Sequence, residues 1–143
     1  MILRKIDDGI SVAPQIAPGD LGEAAEAGFT MVINNRPDEE EASQPSGAAI
    51  AEAARAAGLD YVAIPVTGAG FSMNQVEAMR DALDRAKGPV LAFCRSGTRS
   101  TNLWALARAF QGESPDALTA KAAEAGYDLT NIRPLLDGLS RQG

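Results

Sequence analysis

The 143-residue chain contains no histidine, and that absence removes a large part of the usual catalytic repertoire. Without imidazole there is no Ser-His-Asp triad, no Cys-His dyad and no histidine metal ligand. One cysteine excludes an internal disulfide and a thiolate zinc site within a single chain. No apolar run approaches the roughly 18 residues that a spanning helix needs, and the chain opens without a basic-then-apolar leader, so a reducing, cytoplasmic location is expected. Surplus positive charge is missing too. A net charge of −6 argues against nucleic acid or an anionic membrane as partner, because phosphate backbones are held by Lys and Arg concentrated on one face. What remains for chemistry is one thiol, carboxylates, guanidinium groups and backbone amides, with no cofactor expected. Length and a 45% hydrophobic content suit one domain, residues 1–143, with a core that needs no staples.

Short β-branched runs alternate with alanine-rich stretches of helical period, which is the pattern of an α/β protein. Residues 2–6 and 10–13, parted by Asp7-Asp8-Gly9, predict a hairpin at a sheet edge. Pro18 suits a helix start and Gly28 its end, so residues 18–27 predict a first helix. Residues 29–34 then read as a buried parallel strand. A polar loop holding Arg36 and Glu39-Glu40-Glu41 precedes a helix over 46–57, and residues 61–66 form the next strand. Ser72-Met73-Asn74-Gln75 has the form of a capping box and opens a helix with Val76, Met79, Leu83 and Ala86 on one stripe. Val90-Leu91-Ala92-Phe93 carries no polar residue, as expected of a central parallel strand covered on both faces. Three helices follow: residues 99–110, burying Leu103, Leu106, Ala107 and Phe110; residues 115–126, capped by Ser114; and a last one lined by Ile132, Leu135, Leu136 and Leu139. The expected architecture is three layers, with a mostly parallel sheet between helices.

Cys94 falls where the central strand ends, and in open α/β sheets ligands bind outside the carboxyl ends of the strands. Between Cys94 and Arg99, Gly97 permits a backbone turn that aims successive amides inward as an anion nest. A helix opening near Arg99 adds its positive dipole end, the setting that lowers a thiol pKa most effectively. Arg95 and Arg99 add charge, and Ser96, Thr98 and Ser100 belong to the same anion-binding segment, with Thr98 and Ser100 offering hydroxyl donors. Cys94 thus reads as a thiolate nucleophile in an anion-binding loop. Arg36 follows a strand predicted to lie beside that of Cys94, which leaves two roles open: substrate binding in the same crevice, or bracing its own loop through Asp38 or a glutamate. Trp104 reads as packing. The acidic run reads as solvated surface.

Cys94-Arg95-Ser96-Gly97-Thr98-Arg99 resembles the rhodanese pattern Cys-Arg-x-Gly-x-Arg/Thr, which implies a cysteine that carries sulfane sulfur as a persulfide. The surrounding chain resembles the tyrosine and dual-specificity phosphatases, whose signature runs Cys-x-x-Gly-x-x-Arg; here Ser100 holds the last position and the arginine falls one residue early. From Val32-Ile33-Asn34-Asn35-Arg36-Pro37 through Ile64-Pro65-Val66 and Gly88-Pro89-Val90 to Leu103-Trp104-Ala105-Leu106, the chain resembles the bacterial beta-lactamase-hydrolase-like phosphatase-like domain. That family is also described as a sulfur transferase family, found alone or fused to persulfide-metabolising enzymes. The resemblance implies a protein tyrosine phosphatase-like fold with a rhodanese-length loop.

A shortened loop and the absence of an acid in residues 67–71 favour sulfur transfer, since a thiolate leaving group departs unprotonated. On that reading Cys94 takes sulfur from a small anionic donor such as thiosulfate or a low-molecular-weight persulfide, and a thiol or cyanide accepts it. Cys94 and Arg99 would be catalytic, and a persulfide-metabolising enzyme a partner. The alternatives are a cysteine-dependent phosphatase acting on a phosphate monoester and a non-catalytic thiol redox sensor or binding module.

Overall fold

The computed structural model describes residues 1–142. Its five strands are β1 (Arg4–Asp7), β2 (Ile10–Ala13), β3 (Met31–Asn34), β4 (Asp60–Ala63) and β5 (Val90–Phe93). They lie in the order β1-β2-β5-β3-β4. The β1–β2 hairpin is antiparallel and every other pairing is parallel.

Side chains on a strand alternate between faces, and the apolar run of β5 divides accordingly. Val90 and Ala92 join one core cluster, while Leu91 and Phe93 join the other. Met31 and Ile33 of β3 share the first side and Val32 the second. The second face is covered by α1 (Leu21–Glu26), preceded by a 3-10 turn over Pro18–Asp20, and by α2 (Gly47–Ala56). The first is covered by α3 (Met73–Arg85), α4 (Thr98–Phe110), α5 (Pro115–Glu124) and α6 (Arg133–Gln142). The result is the three-layer α/β arrangement.

Local signals act where they were read. Ser72 and Gln75 close a reciprocal box: Gln75 N–H donates to Ser72 Oγ at 3.3 Å and Ser72 N–H to Gln75 Oε1 at 2.8 Å. Ser46 and Ser114 cap α2 and α5.

Three expectations need correction. The strand predicted over 61–66 is regular only over Asp60–Ala63: Ile64 N–H and Val66 N–H still donate to Asn34 O and Asn35 O, but the partner advances by one residue instead of two, so the parallel register breaks there. The helix after Cys94 has no solvent face of ordinary width: Ser100, Thr101, Trp104 and Ala105 are buried along with Leu103, Leu106 and Ala107. Small residues on several sides let neighbouring helices close around α4, which hides that burial from a hydropathy pattern. Leu135, placed on the inner side of the last helix, is exposed, while Leu136 is fully buried.

β5, β3 and β4 run in parallel, so the Cys94 loop, the Arg36 loop and the residue 67–71 loop all emerge at one edge of the sheet. Asn35 N–H donates to Phe93 O at 2.9 Å and Val66 N–H to Asn35 O at 2.9 Å, tying the three strand exits together.

Candidate active site

Cys94 leaves β5 fully buried, and its Sγ accepts a hydrogen bond from Gly97 N–H at 3.1 Å. The turn that makes this contact requires Gly97 at φ 90° and ψ −10°, a left-handed conformation that side-chain-bearing residues adopt at a cost. Gly97 caps α4. Its carbonyl accepts from Thr101 N–H at 3.0 Å and from Thr101 Oγ1 at 2.8 Å, so the same residue starts the helix and gives its amide to sulfur. The positive end of a thirteen-residue helix therefore abuts the sulfur.

Arg99 sits on the first turn of α4. Its guanidinium donates to Val66 O at 2.6 Å and forks onto Glu40, with Nη1 to Oε2 at 2.6 Å and Nη2 to Oε1 at 2.8 Å. The hydrogen bond it donates to Glu40 holds the Arg99 pKa above its ordinary value, and the charge and hydrogen bonding of Cys94 add to that effect. Arg99 thus lies between the sulfur and the Glu40 carboxylate. Glu40, Gly68, Arg95 and Arg99 line an open pocket over the loop.

The remaining predicted residues fall into distinct places. Arg95 is exposed and pairs with Glu41 at 3.0 Å, at the rim. Ser96 and Thr98 are exposed and bond to each other through their hydroxyls at 3.1 Å. Ser100 is buried with no protein partner for its hydroxyl. Trp104 is fully buried in the core.

Arg36 comes to the same edge but does not offer its guanidinium to an outside anion. Each of its three nitrogens is engaged: Nε with Glu40 at 2.9 Å, Nη1 with Gln15 Oε1 at 3.0 Å and Nη2 with Glu41 at 2.8 Å. Of the two roles its position left open, these contacts are those of a brace, which holds in place the glutamate that Arg99 meets.

Glu40 also departs from expectation. The residue is exposed, but its side chain, 27% exposed, is engaged between two arginines. The Arg99 hydrogen bond, with Arg36 assisting, lowers its pKa to about 2 against a partial opposing push from burial. A carboxyl with a depressed folded pKa stabilises the fold above its unfolded value of 4.5, and that contribution is lost as pH falls toward about 2. The wild type should therefore lose urea resistance between pH 5 and 2 more steeply than Glu40→Gln. At pH 7 that substitution should cost roughly 1 kcal/mol, reduced by solvent screening. Equal acid slopes in the two proteins would refute the assignment.

Tyr127 is a site residue that the sequence reading missed. It comes from the connection between α5 and α6, and its hydroxyl donates to Ser96 O at 3.1 Å. No local pattern marks it, because the contact spans 31 positions.

Comparison with known proteins bears on family and fold. The family model described as beta-lactamase hydrolase-like protein, phosphatase-like domain, matches residues 2–111. A beta-lactamase hydrolase-like protein of Agrobacterium fabrum is 37% identical over 108 residues, which is 76% of this chain and 25% of that protein. The chain thus spans about a quarter of the length of that curated relative. A crystal structure from Neisseria meningitidis, provisionally named a phosphatase, is 37% identical with a TM-score of 0.84, covering 97% of this chain and 99% of the other. The structure of Tk-PTP in its active form has a TM-score of 0.76 at 19% identity, covering 99% of this chain and 97% of the other, a likeness of fold. The fold is that of the protein tyrosine phosphatase-like proteins.

Proposed function

Because the chain belongs to the beta-lactamase hydrolase-like phosphatase-like domain family, we propose that it is a cysteine-dependent phosphatase of the tyrosine or dual-specificity type, acting on a phosphate monoester. The observation that supports this most is the placement of Cys94 Sγ under the Gly97 amide, with the Arg99 fork beside it, at the mouth of a phosphatase-type fold. In this reading Arg99 exchanges the Glu40 carboxylate for two phosphate oxygens, since a carboxylate and a phosphate present the same bidentate edge. Cys94 thiolate attacks phosphorus. The S–P bond forms as the ester P–O bond breaks, and the leaving oxygen departs with the electron pair. Water then attacks the phosphocysteine, releasing inorganic phosphate and restoring the thiolate.

The proton for the leaving oxygen sets the substrate preference. The residue 67–71 loop holds no acid, and Glu40, once Arg99 has turned to phosphate, keeps the Arg36 guanidinium at 2.9 Å, which favours its ionised form and leaves it no proton to donate. Leaving groups must therefore carry their own negative charge away. Phosphates of acidic phenols should turn over and alkyl phosphates should not, with kcat/KM falling steeply as the phenol becomes less acidic. A series of substituted aryl phosphates measures this, and a flat dependence would mean that an acid acts after all.

One observation favours sulfur transfer as a second reading. Four residues separate Cys94 from Arg99, the rhodanese spacing, and a sulfur leaving group needs no acid. The two are separated by measuring phosphate release from an aryl phosphate alongside intact mass after thiosulfate. Phosphate release without uptake of sulfur supports the phosphatase. A gain of one sulfur on the wild type and none on Cys94→Ser, with no phosphate released, overturns it. The persulfide-metabolising partner belongs to this second reading.

A further inference from the structure

The loop amide that meets the sulfur is controlled from its far side. Gly97 N–H and Ser96 C=O are the two ends of one peptide unit, which is planar and trans, so they point in opposite directions. The N–H end donates to Cys94 Sγ at 3.1 Å, and the C=O end accepts from the Tyr127 hydroxyl at 3.1 Å. Hydroxyl, peptide and sulfur therefore form one continuous line of hydrogen bonds. Bonding at the carbonyl both fixes the plane of the amide and polarises it, which strengthens donation at the N–H.

We propose that Tyr127 is a positioning residue that acts through the Ser96–Gly97 peptide to hold the Gly97 N–H on Cys94 Sγ and so to set the reactivity of the sulfur. The tyrosine is itself held for this task. Its backbone N–H donates to Ala122 O at 2.9 Å at the end of α5. The Arg4 guanidinium stands 5.8 Å from its ring centroid and reaches Ala125 O at 3.4 Å. Burial raises the Tyr127 pKa, Arg4 opposes this, and the Cys94 charge raises it further, so the phenol stays protonated and able to donate at neutral pH. Position 127 lies beyond residues 2–111, the part of the chain that matches the family model.

The other charged groups around the thiol are accounted for. Arg99 on α4 faces it directly, and Glu40 lies behind Arg99. Arg95 is turned outward onto Glu41, and Arg4 stands behind the Tyr127 ring. Removing the Tyr127 hydroxyl leaves all of these charges in place, so a shift in thiol ionisation reports the peptide link.

The proposal rests on Cys94 as nucleophile in the function above, but its test reads the thiol and not turnover. Cys94 is the only cysteine, so alkylation by iodoacetamide, followed across pH by intact mass, reports its ionisation alone. Tyr127→Phe should move the midpoint up by about 0.5 pH unit and slow alkylation about threefold below it, with an unchanged plateau at high pH. Uniform replacement of tyrosine by 3-fluorotyrosine, a stronger donor of the same shape, should move the midpoint down. That measurement stands whether or not the phenylalanine variant folds. A midpoint unmoved in folded Tyr127→Phe, or in the fluorinated protein, overturns the proposal. A protein that hydrolyses no phosphate ester passes or fails by the same criterion.

Discussion

Cys94→Ser is expected to abolish hydrolysis of an aryl phosphate while leaving the fold and the binding of inorganic phosphate in place. The variant tests whether the reaction passes through a covalent bond to sulfur. A serine hydroxyl is ionised far less readily than a thiol, and the site has no histidine to deprotonate it. Neither the Gly97 amide nor the α4 dipole closes that gap, since each adds only a modest preference for negative charge. The loss in kcat should be on the order of 10⁴-fold or more. Stability should change little. The serine oxygen can accept the same Gly97 N–H in the same buried position, so the cost is about 1 kcal/mol. Steady-state assays and phosphate titration by calorimetry check both halves. Residual turnover above about one part in a thousand would mean that another group attacks phosphorus.

Gly97→Ala should damage stability and chemistry together. The residue stands at φ 90°, where a side chain costs roughly 1 kcal/mol. Space is the larger difficulty. An added Cβ would overlap the Tyr127 hydroxyl and come within 3.0 Å of its Cζ. Relief requires Tyr127 to withdraw from Ser96 or the loop to reopen, and either movement breaks the line of hydrogen bonds that ends at Cys94. Strain, overlap and the lost bond together should cost about 2–4 kcal/mol, lowering Tm by roughly 6–12 °C. Loss of the amide donor from the sulfur should lower kcat about 100-fold, as for other donors aimed at a reacting anion. Thermal melts and kinetics on one preparation decide the matter. A variant with wild-type Tm and kcat would show that neither the left-handed turn nor the Tyr127 contact is needed.

The two variants differ in what they say about legibility. Cys94 could be singled out from consecutive residues, because a strand end, a glycine and a helix start within six positions build an anion nest without help from elsewhere in the chain. The helix caps at Ser46, Ser72 and Ser114 are legible for the same reason, each being a contact within three residues. Tyr127 and Glu40 are not of this kind. Glu40 lies 59 positions from Arg99, and an acidic triplet in a loop carries no mark of the arginine it will meet. Arg36 showed the right neighbourhood and an open choice of role, and its contacts with Gln15, Glu40 and Glu41 appear only in the folded chain.

By itself the sequence determined the α/β class, the parallel strand that ends at Cys94 and the glycine turn that opens the next helix, since these follow from periodicity and from contacts between near neighbours. The tertiary structure decided what surrounds that loop. It brought Glu40 into the Arg99 fork, tied Arg36 to Gln15 across 21 positions, enclosed α4 on nearly every side and placed the Tyr127 hydroxyl behind the Gly97 amide. The physical reason is common to all four. Each depends on side chains far apart in the chain meeting at one edge of a sheet, and such meetings are set by packing and strand order, which no local run of residues records.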